Sequence, residues 1–102
     1  MSKQIAQTIN SQIGNKAFYM LGAVNKAFGV NEENQTYLSF KIRGSKKVSH
    51  IRITYLEGLD LYKTEFLKCQ KDTVKTVSEF SEIYCDQLHE IIEQETGLYT
   101  SL

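Results

Sequence analysis

The sequence predicts one α+β domain spanning residues 1–102, in which helices at both ends of the chain pack on one face of an antiparallel sheet of three to five strands. Two observations carry this prediction. Apolar residues recur at spacings of three and four near both termini, which is typical of amphipathic helices. Between residues 36 and 68 apolar and polar residues instead alternate, as in strands, and short turns divide this region into two consecutive hairpins.

Residues 2–13 are predicted to form the first helix, because their apolar side chains share one helical face: Ile5, Ala6, Ile9 and Ile13. Gly14 marks the end of this helix. The apolar run at residues 18–21 is too short to show a period that separates a helix from a strand. Its shortness, its aromatic residues and the flanking Gly14 and Gly22 favour a buried strand. The polar residues 29–35 are predicted to form a loop.

The first hairpin joins strands at residues 36–43 and 48–55 through a four-residue turn at residues 44–47. This turn sets the register Arg43–Val48, Lys41–His50, Phe40–Ile51, Ser39–Arg52 and Leu38–Ile53. Both strands then place their alternating apolar side chains on one face, which are Leu38, Phe40, Ile42, Ile51, Ile53 and Tyr55. A slip of one residue would expose this whole set, so the register is well specified.

A second hairpin leads through residues 56–60 into a strand at residues 61–68, whose inward side chains are Tyr62, Thr64 and Phe66. Placing Thr64 opposite Ile53 puts Glu65 opposite Arg52. Such a surface ion pair contributes at most about 1 kcal/mol. A fourth strand is predicted around residues 74–77.

The C-terminal part is predicted to form a helix at residues 80–96, with Ser81 as its N-cap, Gly97 after its last turn and an apolar stripe of Tyr84, Leu88, Ile91 and Ile92. This part is acidic, because six acids and no Lys or Arg follow Lys75. Residues 41–52 show the reverse, with five Lys or Arg and no acid, although the net charge of the chain is zero. The acidic helix either neutralises the basic hairpin or leaves it to a partner, and charge asymmetry alone does not decide between these alternatives.

Cys69 and Cys85 are the only cysteines, and they form neither a C-x-x-C pair nor a disulfide framework. We expect both to be buried or half-buried structural residues. The first residues lack the apolar core of a signal peptide, and no apolar run approaches the about 20 residues that cross a bilayer. These observations predict a cytoplasmic protein without a membrane partner.

Enzymatic signatures are missing from the sequence. It contains no nucleophile elbow, no phosphate-binding glycine motif and no local Cys–His signature. Asp86, His89 and Glu93 fall on one face of the predicted C-terminal helix, where they could share a metal ion, but the N-terminal helix offers no matching ligands. We therefore predict a protein that is not an enzyme and that uses no metal and no cofactor.

The outward side of the first hairpin predicts a binding surface. It carries six basic side chains, which are Lys41, Arg43, Lys46, Lys47, His50 and Arg52. Such a patch attracts phosphate backbones through counterion release, and β-ribbons can enter a major groove. Tyr37 is the only outward aromatic residue of the two strands, so base stacking would contribute little. The patch predicts electrostatic binding of nucleic acid or a nucleoprotein complex, although an acidic protein surface or ordinary protection of an exposed sheet would explain the same charges.

The chain also resembles a group of small uncharacterised proteins of phages, prophages and related mobile elements. The similarity is carried by residues 40–46, 50–54, 56–62, 86–90 and 96–100 and extends over most of the chain. It implies a non-enzymatic accessory protein of the host cell cytoplasm that binds nucleic acid or host machinery. An inhibitor of a host defence system, similar to anti-CRISPR proteins, is an alternative that this resemblance raises. A homodimeric module joined through a helix or a sheet edge is a further alternative, and it would not use the basic patch.

Overall fold

The structure, a computed structural model, describes residues 2–45, 47–56, 61–70 and 73–98. In this part of the chain the protein folds as a five-stranded antiparallel meander with three α-helices. In chain order the elements are α1 (Ser2–Ile13), α2 (Asn15–Leu21), β1 (Val24–Val30), β2 (Thr36–Lys41), β3 (His50–Leu56), β4 (Leu61–Gln70), β5 (Thr73–Ile83), a 3-10 turn (Cys85–Gln87) and α3 (Leu88–Thr96). The strands lie in the order β1-β2-β3-β4-β5, so each strand pairs with its neighbour in sequence. The predicted α+β class is confirmed. None of the described helices has the length and apolar character that crossing a membrane requires.

The register of β2 against β3 is the predicted one in four pairs: Leu38–Ile53, Ser39–Arg52, Phe40–Ile51 and Lys41–His50. β4 also pairs with β3 as predicted, with Thr64 opposite Ile53 and Glu65 opposite Arg52. Residues 57–60, where the second predicted turn falls, lie outside the described residues. The agreement follows from the strict alternation of the strands, because a one-residue slip would expose the apolar set of each strand.

One face of the sheet, the inner face, is covered by the helices and forms the core. Its strand residues are almost fully buried, among them Leu38, Phe40, Ile51, Ile53, Tyr62 and Phe66. The helices contribute Ile9 and Ile13 from α1 and Leu88 and Ile92 from α3. Phe18 of α2 packs edge-to-face on Phe40 with the ring centroids 5.2 Å apart, which is a favourable aromatic geometry. Burial of each large apolar side chain contributes about 1.5–3 kcal/mol, so this face dominates the stability of the fold.

The apolar run after Gly14 forms the helix α2, and the strand predicted there is wrong. Ala17, Phe18 and Leu21 are buried, whereas Tyr19 is 85% exposed. This one-, three- and four-residue spacing is that of a helical face, and a run of four apolar residues cannot reveal it. Gly22 ends the helix with a φ of 65°, and its backbone N–H donates to the Tyr19 carbonyl.

The sequence did not predict the strand β1, and the loop predicted at residues 29–35 begins only at Asn31. β1 is an edge strand, and five of its seven residues are exposed. Because most of β1 is exposed, burial does not require apolar and polar residues to alternate, and the sequence shows no two-residue period there. Its pairing with β2 is irregular between Val24 and Ala27, and Asn25 has a positive φ of 56°.

β5 confirms the predicted fourth strand but runs on to Ile83, into residues predicted to be helical. Phe80 and Ile83 are apolar at positions where pairing with β4 brings them to the core: the Phe80 ring meets Phe66 at 6.1 Å, and Ile83 is buried. Pairing of β5 with β4 therefore prevails over the helical pattern. β5 is also irregular, with register shifts at two places along β4.

Because β5 extends so far, α3 begins at Leu88 and not at residue 80. The predicted N-cap role of Ser81 is therefore wrong. Tyr84 is 62% exposed and does not belong to the apolar stripe. Leu88 and Ile92 are buried as predicted, and Gly97 ends the helix with a φ of 74°.

Candidate nucleic-acid interface

The sheet has one strongly basic end, at which β2 and β4 finish and β3 and β5 begin. The basic side chains there are Lys41 of β2, Arg43 and Lys47 of the β2–β3 loop, His50 of β3, Lys68 of β4 and Lys75 of β5. We call these six residues the basic end. The described residues of segments 41–50 and 67–76 include no Asp or Glu. Cations from three strands and one loop therefore make this end of the sheet positive among the described residues.

The β2–β3 loop is anchored to two helices by hydrogen bonds. The backbone N–H of Ile42 donates to the Ser49 carbonyl at 2.9 Å, in the predicted register, whereas that of Arg43 donates to the Leu21 carbonyl at 3.0 Å. The strand ladder ends at Lys41–His50 and does not include the predicted pair of Arg43 with Val48. The Ser45 hydroxyl donates to the Thr96 carbonyl at 3.0 Å and accepts the backbone N–H of Val48 at 3.2 Å. The turn is wider than predicted because the ends of α2 and α3 supply hydrogen-bond partners for loop groups that would be paired within a tight hairpin.

β4 and β5 continue past the first residue of β3 as a two-stranded ribbon. His50 lies opposite Leu67, and the next residue, Lys68, lies opposite Lys75 of β5. Like charges directly opposite each other disfavour strand pairing. An anion bound between or beside these lysines would offset that repulsion.

Beyond the basic end, the outer face carries cations that face carboxylates. Arg52 lies 3.9 Å from Glu65, and the Lys63 ammonium lies 2.8 Å from Glu79. We call these four residues the paired region. The hydrogen bond to Glu79 raises the pKa of Lys63 above its ordinary value. Each surface pair contributes at most about 1 kcal/mol, so the pairs neutralise this region more than they stabilise it.

Tyr37 offers little surface on the outer face for the stacking of bases. The Arg52 guanidinium lies over its ring at 5.5 Å from the centroid, a cation–π contact. The two side chains border a cleft of about 430 Å³, lined by Val30, Asn31, Glu32, Glu33, Tyr37 and Arg52. The Asn31 carboxamide closes the β1–β2 loop by accepting the backbone N–H groups of Glu33 and Gln35. The cleft combines acids with one engaged arginine and does not extend the basic end.

The acidic helix α3 lies on the side of the inner face. Its Glu95 carboxylate accepts the hydroxyl of Ser78 in β5 at 2.6 Å. The carboxylates that face the cations of the paired region come instead from β4 and β5, namely Glu65 and Glu79. Neighbouring strands thus neutralise the part of the predicted patch that contains Arg52.

A thiol, an imidazole and a hydroxyl meet at the basic end. The Cys69 Sγ lies 3.3 Å from His50 Nδ1, and the Ser49 Oγ lies 2.9 Å from the same nitrogen. Ser49 also accepts the backbone N–H of Cys69 at 2.8 Å. Cys69 is exposed, so the prediction that it is buried or half-buried is wrong. Burial and, next, the positive charge of Lys41 lower the pKa of His50, which favours the neutral imidazole.

Sequence reasoning missed this cluster because it searched for a local Cys–His signature, whereas the two residues are 19 apart in the chain. The signal lay in the predicted register of β3 and β4. Thr64 opposite Ile53 implies Leu67 opposite His50. Cys69 follows Leu67 by two residues and therefore lies on the same face of the sheet.

The structure brings together four of the six predicted patch residues: Lys41, Arg43, Lys47 and His50. Arg52 lies in the paired region, and Lys46 lies outside the described residues. Lys68 and Lys75 were not predicted as members, because the β4–β5 hairpin was not considered as part of the same end of the sheet. Their cross-strand position is what adds them to the basic end.

The three residues considered as metal ligands do not converge. Asp86 lies in the 3-10 turn before α3, because the helix begins later than predicted. The His89 Nε2 lies 2.7 Å from the Ile13 carbonyl and so joins α3 to the end of α1. Within the described chain, no three His, Cys, Asp or Glu side chains are grouped so that they could hold a metal ion.

Similarity to known proteins does not add to this assignment. No family model matches the chain, and neither the curated proteins nor the solved structures include a detectably similar chain. The resemblance to proteins of phages and mobile elements, and the functions that it implies, therefore stay predictions.

Proposed function

We propose that the protein binds double-stranded nucleic acid at the basic end, through contacts to the phosphate backbone and without an enzymatic step. The observation that carries the proposal is the placement of six basic residues, five of them Lys or Arg, at one end of the sheet. Phosphate contacts by Lys and Arg release condensed counterions, which supplies most of the free energy of sequence-independent binding.

The anchoring of the β2–β3 loop supports this proposal. Arg43 and Ser45 are held by the ends of α2 and α3, so the backbone on both sides of the loop is ordered before any ligand arrives. Ordering a loop on binding costs free energy that reduces affinity. A surface whose backbone is already held retains more of the phosphate contact energy.

The outer face favours a duplex over a single strand as the ligand. Binding of single strands relies on aromatic side chains that stack on bases, and Tyr37 is engaged by Arg52. The β4–β5 ribbon, with Lys68 opposite Lys75, has the two-stranded form that enters a major groove in other proteins. We expect steep salt dependence, because each phosphate contact contributes a slope of about −0.9 in log affinity against log salt.

The homodimeric alternative has less support. β1 and β5 are the edge strands of the described sheet, and the pairing of both with their neighbours is irregular. Irregularities of this kind hinder the addition of another strand at an edge. An acidic protein surface, as an inhibitor of a defence system would bind, fits the same charges and is an outcome of the test below.

The test is anisotropy of a labelled duplex of random sequence, titrated with the protein at low salt and again at rising salt. Lys41→Ala with Lys75→Ala should weaken binding about tenfold or more and should flatten the salt dependence by about two units of slope. The matched control is Lys16→Ala with Lys63→Ala, which removes the same net charge from α2 and from the paired region. This control should bind nearly as the parent protein does.

Two results would contradict the proposal. Equal losses in both double variants would mean that net charge, and not the basic end, governs the interaction. Failure of the parent protein to bind the duplex at low salt would exclude the function altogether. A stoichiometric complex with a host protein that survives nuclease treatment would then favour the inhibitor alternative.

A further inference from the structure

We infer that Cys69 is a modification site, at which neutral His50 accepts the thiol proton and the sulfur forms a mixed disulfide with a small anionic disulfide of the glutathione class. This inference does not depend on nucleic-acid binding. It rests on the geometry of three side chains and on the charge of their surroundings.

The thiol and its proton acceptor are already in contact. Cys69 Sγ lies 3.3 Å from His50 Nδ1, within the range of a hydrogen bond to sulfur. The hydroxyl of Ser49 holds both partners, because its Oγ lies 2.9 Å from the same imidazole nitrogen and accepts the backbone N–H of Cys69 at 2.8 Å. The sulfur is exposed, so a small disulfide can reach it without opening the fold.

The surroundings keep the imidazole neutral. The groups that face His50 are Lys41 from β2, Ser49 from the loop, and Leu67 and Cys69 from β4. Burial and the positive charge of Lys41 lower the pKa of His50, and none of these neighbours is an acid that would favour its cation. A neutral imidazole with its proton on Nε2 has a lone pair on Nδ1, and the Ser49 hydroxyl leaves that lone pair to the thiol when it donates to the Leu67 carbonyl at 3.3 Å.

The reaction is a thiol–disulfide exchange in which atoms and electrons balance. The Cys69 proton moves to His50 Nδ1, and the sulfur attacks one sulfur of the small disulfide. The new protein S–S bond forms as the reagent's S–S bond breaks. The displaced half leaves as a thiolate and takes the proton from the imidazolium. The products are the mixed disulfide and one small thiol, with the small disulfide as oxidant.

The basic end selects for anionic reagents. Lys41 is exposed and close enough to His50 to change its titration, and the described residues around the cluster include no carboxylate. Reactive cysteines typically lie in electropositive, accessible surroundings of this kind. Carboxylates of a glutathione-like disulfide would be attracted here, whereas a neutral disulfide would gain nothing.

The experiment compares two disulfides, a dianionic bis(nitrobenzoate) disulfide and a neutral dipyridyl disulfide, by the absorbance of the released thiol. His50→Gln should slow both reagents several-fold, because it removes the imidazole that accepts the thiol proton. Lys41→Ala should slow the dianionic reagent relative to the neutral one, because it also changes the basicity of His50 for both reagents, and added salt should likewise slow the dianionic reagent relative to the neutral one. Glutathione disulfide should add one glutathione to the peptide that contains Cys69, as measured by mass spectrometry.

The pH profile of the parent protein provides a readout that does not require a folded variant. The rate at an isolated thiol rises about tenfold per pH unit below its pKa. With His50 as proton acceptor, the rate at Cys69 should be much flatter between about pH 7 and 8. Modification found at Cys85 alone, a profile as steep as that of a free thiol, or a His50→Gln variant that folds and reacts as fast as the parent would each overturn the inference.

Discussion

The basic end and the paired region belong to one sheet, but the cations of the two regions have different cross-strand neighbours. In the paired region Arg52 faces Glu65 and Lys63 contacts Glu79. At the basic end Lys41 faces His50, and Lys68 faces Lys75. The first arrangement gives each cation a neighbouring carboxylate, although Glu65 and Glu79 also lie opposite each other, whereas the second places basic residues opposite one another.

This difference separates the part of the surface that serves the fold from the part that can serve a ligand. Like charges in register oppose strand pairing by a few tenths of a kcal/mol up to about 1 kcal/mol. The hairpins tolerate this because their inner faces bury large side chains such as Phe40, Ile51 and Phe66. Local conflict between charge and fold is expected at functional sites. In the paired region a cation lies beside each of the opposed glutamates, so the basic end is the better candidate for binding an anion.

The largest effect is expected from Lys75→Glu, which would give the ribbon the cross-strand pattern of the paired region. Duplex affinity should fall by more than tenfold, since a phosphate contact is replaced by repulsion. The free energy of unfolding should stay constant or rise by up to about 1 kcal/mol, because Lys68 would then face a carboxylate. Anisotropy and chemical denaturation measure the two quantities.

Lys75→Gln is the matched control for that substitution, since it removes the charge without creating an attraction. It should weaken binding less than Lys75→Glu does, with little change in stability. A Lys75→Glu variant that is less stable and binds as the parent does would show that the ribbon lysines serve the fold.

Much of the fold was predictable because burial on one face imposes a period. Phe40 and Ile51 alternate with polar neighbours, and their register followed from that alone. The exposed edge strand β1 lacks this constraint, and so it was missed. The helix α2 was misassigned because the contact of Phe18 with Phe40, which selects its helical face, is tertiary and leaves no trace in a run of four residues.

The candidate site was predictable only where one hairpin contained it. Lys41 and His50 lie across from each other in the β2–β3 hairpin, and the sequence predicted them as neighbours. Lys75 and Cys69 reach the same end of the sheet through β4 and β5, after two further strand pairings. The register of each strand pair must be known before the position of the next strand can be predicted. The residues of the whole surface can therefore be identified only from the assembled sheet.

A smaller effect is expected when a carboxylate is removed from the paired region, so that its cation is no longer neutralised. Glu65→Gln removes the carboxylate that lies 3.9 Å from Arg52. The free energy of unfolding should fall by at most about 1 kcal/mol, and duplex binding should tighten by a few-fold because Arg52 joins the positive potential. Glu90→Gln is the control of equal net charge, since Glu90 lies in α3, on the side of the inner face, and has no part in that ion pair. Equal tightening in both variants would show that only net charge matters.

The two regions also differ in the sign of their pH dependence. The pKa of Lys63 is raised above 10.5 by its hydrogen bond to Glu79. Its contribution to stability is therefore complete below that pH and is lost as pH rises through the raised value. The pKa of His50 is lowered below 6.5 by burial and by Lys41. Its contribution is complete above pH 6.5 and is lost as pH falls through the lowered value, because the unfolded chain takes up the proton first.

The smallest expected effect is the loss of stability that His50 causes at the basic end as pH falls. Between neutral pH and about pH 5, the parent protein should lose slightly more stability than His50→Gln, as measured by chemical denaturation at each pH. All other titrating groups are common to both proteins, so the difference between them isolates His50. Lys41→Ala should reduce this difference without abolishing it, because burial is the larger cause of the lowered pKa. A difference that does not vary with pH would mean that His50 titrates alike in the folded and unfolded chains, and that the surroundings at the basic end do not disfavour a positive charge on this imidazole.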